Sequence, residues 1–422
     1  MTVPAVSVIV PTHNRRASLV RTLQALALQT WPAESLEVLV VADGCTDGTG
    51  EAVRGHALPF SFRLLQQPGL GAAAARNAGA AAAAAKVLLF IDDDVEPTPA
   101  LVSAHVRAHG EHSDRVVLGP YPPVLPGRAD LFRVELRRWW HDHFTAASQP
   151  GHRFTYRDLL AGNLSISAEL YRRTGGFDPG FAGCGGEDWE YGVRLLDAGA
   201  TFVFAPDALG HHHEASDHAR SLRRARQEGR ADVIIARRHP GLRPSLAFGR
   251  GDSRRAAAES WASVCAFRCP WVAALLPAIV APLLRQLERL RLRRSWQRLS
   301  RALRSLAYWQ GVSDELKTSK ALAGLLQSGP ARSDAGPEAT LDLRDGIAAA
   351  ERRLDAERPA GARLCYGDLP VGRIPPEAGA EGLRGAHLRP ALVERFAVPY
   401  LTAIALARAV LPAHEEGWLG GR

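Results

Sequence analysis

Residues 87–97, VLLFIDDDVEP, run from five apolar residues directly into three aspartates. Five consecutive β-prone residues predict a strand that is buried on both faces, as in a parallel sheet. Adjacent aspartates repel one another and cannot be packed in a core without a compensating cation. In an open α/β sheet, ligands bind outside the carboxyl ends of the strands, where this triplet would lie. Carboxylates there suit Mg²⁺ or Mn²⁺ held together with substrate phosphates, and a solvated acidic turn is the alternative.

Apolar runs alternate with helical patterns in the residues that precede this triplet. Strands are predicted at 6–10, 36–42 and 62–65, and helices at 17–29 and 72–85. The first two strands end in polar turns, PTHN at 11–14 and DGCTDGT at 43–49. The second helix is rich in alanine, whose small side chain lets a helix lie close to a sheet. This alternation predicts a doubly wound α/β sheet.

Two further polar residues are expected at the same edge of the sheet. Asp43 ends the second strand, and Arg76 lies on a helix that is entered through glycines. Each has a structural alternative, because Asp43 could only cap a turn and Arg76 could pair with a surface carboxylate. The convergence of Asp43, Arg76 and the aspartate triplet on one crevice favours a binding site for a diphosphate.

Composition limits the class of protein and the class of partner. A chain of 422 residues with 46% hydrophobic and 23% charged residues predicts a globular protein of two or three domains. The net charge of +8 favours anionic partners, whether nucleic acid, a phospholipid surface or a phosphorylated substrate. The first ten residues have no signal-peptide pattern, and five scattered cysteines do not form a disulfide framework. We therefore expect a reducing, cytoplasmic compartment.

Several segments, taken in order, resemble the motifs of family 2 glycosyltransferases. The donor-side segments are VIVPTHN at 8–14, VADGCTDGT at 41–49, ARNAG at 75–79 and FIDDD at 90–94. The acceptor-side segments are AGNLSIS at 161–167, GGFD at 175–178 and GEDWEY at 186–191. The resemblance covers roughly residues 5–220 and implies the GT-A fold and a nucleotide-sugar donor.

The resemblance also implies roles for individual residues. The implied donor-binding residues are Pro11, Thr12, Asp43, Arg76, Asp92 and Asp93. Asp92 and Asp94 match the outer residues of the family's DxD motif, with Asp92 near the ribose and Asp94 on the metal, Mn²⁺ or Mg²⁺. Asp93 is then an additional charge between them.

The catalytic candidates are Asp188, which matches the family's general base, and its neighbour Glu187. They follow the flexible loop 182–186 and open a helix, where the macrodipole favours acidic residues for structural reasons alone. A carboxylate that faces the donor from this turn could take the proton of an acceptor hydroxyl. Because no candidate for a covalent nucleophile lies opposite Asp188, we expect a single displacement that inverts the anomeric centre.

Histidines and aromatic residues supply the remaining site candidates. The resemblance implies a metal-binding histidine after the strand at 202–206, and strand alternation places His211 and His213 on one side. A polar surface loop is the alternative for this triplet. The acceptor candidates are Asn163, Trp189 and Trp140, because aromatic faces stack on sugar rings, although ordinary core packing also explains Trp140.

Beyond residue 220 the resemblance ends, and we predict four segments. They are a catalytic domain at 1–245, a basic helical region at 246–326, a linker at 327–340 and a small α+β module at 341–422 with a hairpin at 362–374. In the helical region, the apolar stretch 271–284 is broken by prolines and, at about fourteen residues, is too short to span a bilayer. Leucines at helical spacing follow it, with arginines between them. This helix could lie on an anionic membrane surface or pack its leucines on the catalytic domain.

We therefore expect a metal-dependent, inverting hexosyl- or deoxyhexosyltransferase that acts on a glycan or lipid-linked acceptor in cell-envelope or exopolysaccharide synthesis. It is expected in the cytoplasm, attached peripherally to the inner membrane face, with no nucleic-acid partner. A nucleotidyltransferase shares the sheet and the acidic site, but it usually needs a glycine-rich phosphate loop that residues 11–16 lack. A non-catalytic scaffold is disfavoured because every expected polar position is filled.

Overall fold

The computed structural model describes residues 4–55, 57–125, 130–249, 256–327 and 336–410. The chain divides into two compact units. The first comprises residues 1–148 and 154–330, and the second comprises residues 149–153 and 331–422. The boundary predicted at residue 245 therefore falls inside the first unit.

The first unit is built on a seven-stranded sheet and a separate two-stranded ladder. Its strands are β1 (Val6–Thr12), β2 (Leu36–Asp43), β3 (Ser61–Gln67), β4 (Val87–Ile91), β5 (Val95–Pro97), β6 (Arg115–Leu118), β7 (Asn163–Ser167), β8 (Thr201–Phe204) and β9 (Gly210–His212). The large sheet has the order β3-β2-β1-β4-β7-β6-β8, and β5 pairs with β9. The strands predicted at 6–10, 36–42, 62–65 and 87–91 are confirmed.

Twelve α-helices accompany these strands in the described part of the first unit. They are α1 (Arg16–Leu26), α2 (Thr49–Arg54), α3 (Ala72–Ala82), α4 (Leu101–His109), α5 (Leu131–Ala147), α6 (Ala168–Arg173), α7 (Glu187–Asp197), α8 (His218–Arg238), α9 (Ala256–Arg268), α10 (Pro270–Arg289), α11 (Arg293–Leu316) and α12 (Ser319–Gln327).

Both faces of the sheet are covered. Val8 and Val10 of β1 belong to one buried apolar cluster, whereas Ile9 belongs to another, as alternation along a strand requires. This double burial explains the continuous apolar runs in the sequence. Helix α3 packs directly on the sheet, because a Cβ atom on Gly79 would overlap the side chain of Ile9. The close approach predicted for the alanine-rich helix is therefore observed.

The sheet is mixed: the four strands up to Ile91, for which the sequence predicts a parallel sheet, are parallel, and an antiparallel strand lies beyond them. Strand β7 runs antiparallel to both β4 and β6, while the other pairs in the large sheet are parallel. The reversal arises because the chain leaves β6 and enters β7 at the same end of these neighbouring strands. Asn163, the first residue of β7, consequently pairs with Ile91 at the end of β4.

The predicted helical region packs on α8, a helix of the predicted catalytic domain. Helix α11 lies along α8, and the two backbones touch where a Cβ atom on Gly229 would overlap Tyr308 and one on Gly311 would overlap Arg226. The leucines of α11 at 303 and 306 are buried in this unit, so the leucine face faces protein. The membrane interpretation is therefore wrong for α11, and the packing alternative is correct.

Helix α10 is longer than the apolar stretch predicted at 271–284. Two helical segments in the described part of the chain, Pro270–Arg289 and Gly385–Ala409, are long and apolar enough to cross a membrane, by length and composition alone. The fourteen-residue estimate fell short because helix α10 continues through both internal prolines to Arg289.

The second unit is a small α+β module. It contains β10 (Glu338–Asp342), β11 (Gly361–Tyr366), β12 (Leu369–Ile374), α13 (Ile347–Glu357), α14 (Gly385–Ala391) and α15 (Ala397–Val410), with a π-helical turn at Leu392–Phe396. Strands β11 and β12 form the predicted hairpin. Strand β10 begins within the predicted linker, of which residues 328–335 lie outside the described residues.

Candidate active site

The aspartate triplet follows β4 at the carboxyl edge of the sheet, beside the end of β1. Asp93 is buried, and its carboxylate accepts hydrogen bonds from Thr12 Oγ1 at 2.7 Å and from Arg15 Nη1 at 3.0 Å. Burial raises the pKa of Asp93 to about 6, although Arg15 and Thr12 oppose the effect. Asp93 and Thr12 therefore tie the triplet to β1. Pro11 precedes Thr12 in the same strand, where it pairs with Val41.

Asp94 lies between an arginine and a histidine. Arg15 Nη1 is 2.6 Å from Asp94 Oδ2, and His212 Nε2 is 3.4 Å from Asp94 Oδ1. Burial would raise the pKa of Asp94, but the hydrogen bond and charge of His212, together with Arg15, outweigh it and lower the pKa. The Asp94 carboxylate is therefore ionised at neutral pH, with Arg15 and His212 in contact with it.

The histidine beside Asp94 is His212, not His211 or His213, and the prediction is corrected here. Strand β9 pairs with β5, and this register sets His212 opposite Val95. His213 Nε2 instead lies 2.6 Å from Glu96 Oε2. Strand alternation sets His211 and His213 on one side and His212 on the other, and by itself it leaves open which imidazole meets Asp94; the structure shows that it is His212.

The residues present are suited to a divalent ion that shares its ligands with a substrate. Among the residues that the structure describes, no group of three or more His, Cys, Asp or Glu side chains is arranged to hold a metal by itself. Asp94 and His212 nevertheless offer one carboxylate and one imidazole, since His212 Nε2 lies 3.4 Å from Asp94 while its Nδ1 lies 3.6 Å from Glu214 Oε2. Mg²⁺ characteristically binds to one or two protein ligands plus substrate phosphates. The donor set fits that arrangement.

Arg76 joins the two halves of the crevice. Its Nη2 donates to Asp92 Oδ1 at 2.8 Å, and its Nη1 donates to Glu187 Oε1 at 2.9 Å. The guanidinium is buried over the ring of Phe177, 5.3 Å from the centroid. Burial would lower the pKa of Arg76, but Asp92 and Glu187 outweigh it and raise the pKa. Arg76 therefore links the end of β4 to the first turn of α7.

Asp188 stands next to this link in the first turn of α7. Its Oδ1 accepts a hydrogen bond from the Trp189 backbone N–H at 2.8 Å. Burial raises the pKa of Asp188 to about 7, and the charge of Glu187 adds to the effect while Arg76 opposes it. A carboxylate with a pKa close to neutrality is suited to general-base catalysis.

Asp43 organises the loop that leads into α3. Its carboxylate accepts hydrogen bonds from the backbone N–H groups of Leu70 and Gly71 at 2.6 and 2.8 Å, and from Gln67 Nε2 at 2.7 Å. Gly71 has a φ of +92°, a conformation that glycine adopts without strain. Asp43 is the last residue of β2, as the sequence predicts. Its contact with a nucleoside stays a prediction.

The three acceptor candidates have different environments. Asn163 is buried, and its amide oxygen and nitrogen contact His105 Nε2 at 2.9 Å and the Ala208 carbonyl at 2.7 Å, so it has a structural role. Trp140 is also buried and packs on Tyr121, with 5.0 Å between ring centroids. Trp189 is half-buried, with the Arg157 guanidinium 4.8 Å from its ring centroid. Of the three, only Trp189 is not fully buried.

Three residues that surround the site were missed by sequence reasoning. They are Arg15, Tyr121 and His212. The Tyr121 ring packs on His212 at 5.6 Å, and a Cβ atom on Gly162 would lie 2.9 Å from both Tyr121 and Asp92. Burial and the charges of Asp92 and Asp188 raise the pKa of Tyr121, so its hydroxyl stays neutral. The sequence could have indicated Arg15, because this residue directly follows the PTHN turn at the end of β1.

Comparisons with known proteins find similarity to glycosyltransferases. The model of glycosyl transferase family 2 matches residues 7–171, and that of the N-terminal domain of galactosyltransferase matches residues 142–218.

Validoxylamine A glucosyltransferase of Streptomyces hygroscopicus subsp. jinggangensis is 34% identical over 299 residues, which cover 62% of this chain and 69% of that protein. Chondroitin synthase of Escherichia coli is 25% identical over 50% of this chain and 35% of its own length. A solved structure, the mannosyltransferase PcManGT of Pyrobaculum calidifontis in complex with GDP-Man and Mn²⁺, is 22% identical, with a TM-score of 0.48 over 74% of this chain and 88% of that chain.

Proposed function

Because the chain belongs to glycosyltransferase family 2 and has the GT-A fold, we propose that it is a metal-dependent, inverting hexosyl- or deoxyhexosyltransferase. The observation that carries the proposal is the link from Asp92 through Arg76 to Glu187, which sets Asp188 beside the carboxyl edge of the sheet. A donor-binding edge and a base with a raised pKa are thereby held together.

The donor half of the reaction uses the ends of the first strands. Asp43, Pro11 and Thr12 surround the position proposed for the nucleoside, and Asp92 that for the ribose. Arg15, which is about half exposed, supplies positive charge that a diphosphate requires. Since Arg76 is paired with Asp92 and Glu187, it contributes chiefly by holding these carboxylates in place.

Asp94 and His212 would hold the divalent ion, Mn²⁺ or Mg²⁺. When bound, such an ion neutralises charge that develops on the leaving nucleoside diphosphate. The lowered pKa of Asp94 keeps this carboxylate negatively charged, as a ligand of a divalent ion must be. The donor screen below, run with Mn²⁺ and with Mg²⁺, distinguishes the two ions.

The acceptor half of the reaction depends on Asp188. Its carboxylate takes the proton from the acceptor hydroxyl while the oxygen attacks the anomeric carbon of the donor sugar. The bond between that carbon and the diphosphate oxygen breaks in the same displacement, and the electron pair leaves with the nucleoside diphosphate. One displacement inverts the anomeric centre. General-base assistance of this kind contributes about 10²- to 10⁴-fold to the rate.

We place the enzyme in the cytoplasm at the inner membrane face, where it would extend a glycan or lipid-linked acceptor in envelope or exopolysaccharide synthesis. The net charge of +8 supports an anionic surface as a partner. The acceptor side is expected to include Trp189, the one acceptor candidate that is not fully buried.

A donor screen tests the proposal. Release of nucleoside diphosphate is measured from a panel of nucleotide sugars, with Mn²⁺, with Mg²⁺ and with a chelator, and donor binding is measured by calorimetry. We expect one class of nucleotide sugar to bind and turn over only when a divalent ion is present. Turnover that is unchanged in the chelator would refute metal dependence, and a panel without any binding would refute the transferase assignment.

A further inference from the structure

Helix α10 packs on the protein with one face only. Ala273 and Leu284 are buried, and the residues beside them contact α9 and α11. On the opposite face the side chains of Trp271, Leu275 and Ile279 are 70%, 53% and 67% exposed. Because these positions are four residues apart, they form one stripe along the helix, which Leu283 continues.

Arginines occupy the C-terminal end of the same stripe. Arg289 follows Trp271 by five helical turns and so points in the same direction, and Arg285 lies beside it; both are exposed. The turn after α10 adds exposed Arg291, and the first turn of α11 adds exposed Arg294. The one acidic residue of the helix, Glu288, is directed elsewhere, since its carboxylate accepts a hydrogen bond from the Leu131 N–H. The exposed face is therefore apolar along most of its length and cationic at one end.

We propose that this face of α10 docks on the surface of an anionic phospholipid bilayer, with the helix axis in the plane of the headgroups. An apolar face edged by tryptophan and arginine is the pattern of interfacial helices. The arginines would contact lipid phosphates while Trp271, Leu275 and Ile279 enter the boundary between headgroups and acyl chains. The preceding helix, α9, also exposes Trp261 and Val264.

An in-plane arrangement follows from the packing of the other face. Helix α10 has 20 residues and is long enough to cross a bilayer. Its other face, however, is covered by α9 and α11, which leaves only one side for lipid. A second copy of this chain fits the charge of the face less well, because the stripe offers arginines and no carboxylate to receive them.

Docking would keep the enzyme at the surface that carries a lipid-linked acceptor, and in this respect the inference rests on the proposed function. Binding to lipid can nevertheless be measured without any donor or acceptor. Donor calorimetry that fails while vesicle binding persists would remove the proposed function and leave the docking surface intact. The reverse result would remove only the docking surface.

Co-sedimentation of the full chain with vesicles tests the inference. We expect binding to phosphatidylcholine vesicles that contain phosphatidylglycerol, weakening with added salt, and little binding to phosphatidylcholine alone. Ile279→Glu should lower vesicle binding at least tenfold, whereas the control Leu28→Glu, at a side chain that is also 71% exposed, should not change it. Arg289→Gln should lower it about fivefold, and the control Arg173→Gln should leave it unchanged.

Three results would overturn this assignment. The first is equal recovery in the supernatant with and without anionic vesicles. The second is equal loss of binding in Ile279→Glu and Leu28→Glu. The third is a dimer in light scattering that Ile279→Glu converts to a monomer, which would identify a second copy as the occupant. Circular dichroism and melting of each variant distinguish loss of binding from loss of folding.

Discussion

Arg15 Nη1 lies 2.6 Å from Asp94 Oδ2, so a positive charge already contacts the carboxylate that is proposed to hold the metal. The same nitrogen is 3.0 Å from Asp93 Oδ1. One guanidinium, itself about half exposed, therefore bridges Asp93 and Asp94. A divalent ion must therefore compete with Arg15 unless the arginine turns toward the diphosphate of a bound donor.

Replacing Arg15 is expected to strengthen metal binding in the absence of donor. Without the competing cation, Arg15→Gln should bind Mn²⁺ about five- to tenfold more tightly, since a half-exposed charged contact contributes modestly. Donor binding in the presence of Mn²⁺ should weaken. Calorimetry with Mn²⁺ alone and then with donor measures both effects. The neighbour Arg16→Gln is the matched control, and equal Mn²⁺ affinity in the two variants would exclude competition.

Asp188→Asn should separate catalysis from binding. We expect the rate of transfer to fall about 10²- to 10⁴-fold with donor affinity nearly unchanged, because a base acts in the transition state. The melting temperature should stay equal or rise, because the substitution removes a carboxylate whose charged form burial disfavours. Asp197→Asn, at the exposed end of the same helix, is the control. Near-full activity in Asp188→Asn would remove this residue from the mechanism.

The pH profile of transfer should follow the same carboxylate. The base works only when deprotonated, and its pKa is about 7. We therefore expect kcat/KM to be constant at alkaline pH and to fall about tenfold per unit below pH 7, through one ionisation. The residual activity of Asp188→Asn should lack this inflection. A profile that stays flat down to pH 5 would contradict the raised pKa.

Two buried histidines are expected to make folding sensitive to acid. Ser165 Oγ lies 2.8 Å from both His105 Nδ1 and His109 Nε2, and burial lowers the pKa of each histidine to about 4. In the unfolded chain each titrates near 6.5, so the unfolded state takes up protons first. Stability should consequently fall as the pH drops from 6.5 toward 4. Chemical denaturation across this range measures the loss.

The histidine prediction has a direct control. His109→Gln should flatten the pH dependence of the unfolding midpoint, because one of the two titrating groups is gone. His112→Gln replaces an exposed histidine one turn further along the chain and should leave the slope as in the parent protein. Equal slopes in all three proteins would show that the buried pair does not control acid stability.

The close contact between α8 and α11 predicts that an alanine at position 311 lowers the free energy of unfolding substantially. In Gly311→Ala the new methyl group meets the Arg226 backbone, so the helices must separate, with a loss of about 1–3 kcal/mol or more. Gly324→Ala is the control, because nothing lies within 4 Å of its Cβ position in α12. That change should be neutral or stabilising by up to about 1 kcal/mol. Thermal melting compares the two, and similar melting temperatures would refute the close crossing.

Local sequence patterns predicted the strands but not the direction of β7. The runs that form β1, β2 and β4 are continuous because both faces of the sheet are covered. In β7 apolar residues alternate with Asn163 and Ser165, whose polar groups bind histidines of α4. Such alternation is typical of a half-exposed strand, and it says nothing about strand direction. Only the path of the chain through α5 determines the reversal.

Two other differences have the same origin in tertiary contacts. Strand alternation separates His212 from its neighbours, but which side faces Asp94 depends on the pairing of β9 with β5. Leucine periodicity predicts an apolar face on α11, but it cannot identify the partner of that face. The structure buries the α11 face against α8 and leaves the α10 face exposed. In both cases the sequence indicated whether a surface is polar or apolar, but not which part of the protein lies against it.

The crossing at Gly229 and Gly311 determines how the chain can be shortened for experiments. The match to the N-terminal domain of galactosyltransferase ends at residue 218, where α8 begins, so a fragment ending at residue 245 would retain every proposed catalytic residue. It would also bare Val233 and Ile235, which α11 covers in the intact protein. Such a truncation should be insoluble or prone to proteolysis. An expression plasmid for this enzyme therefore needs a stop codon placed after α11, well beyond the last residue that takes part in chemistry.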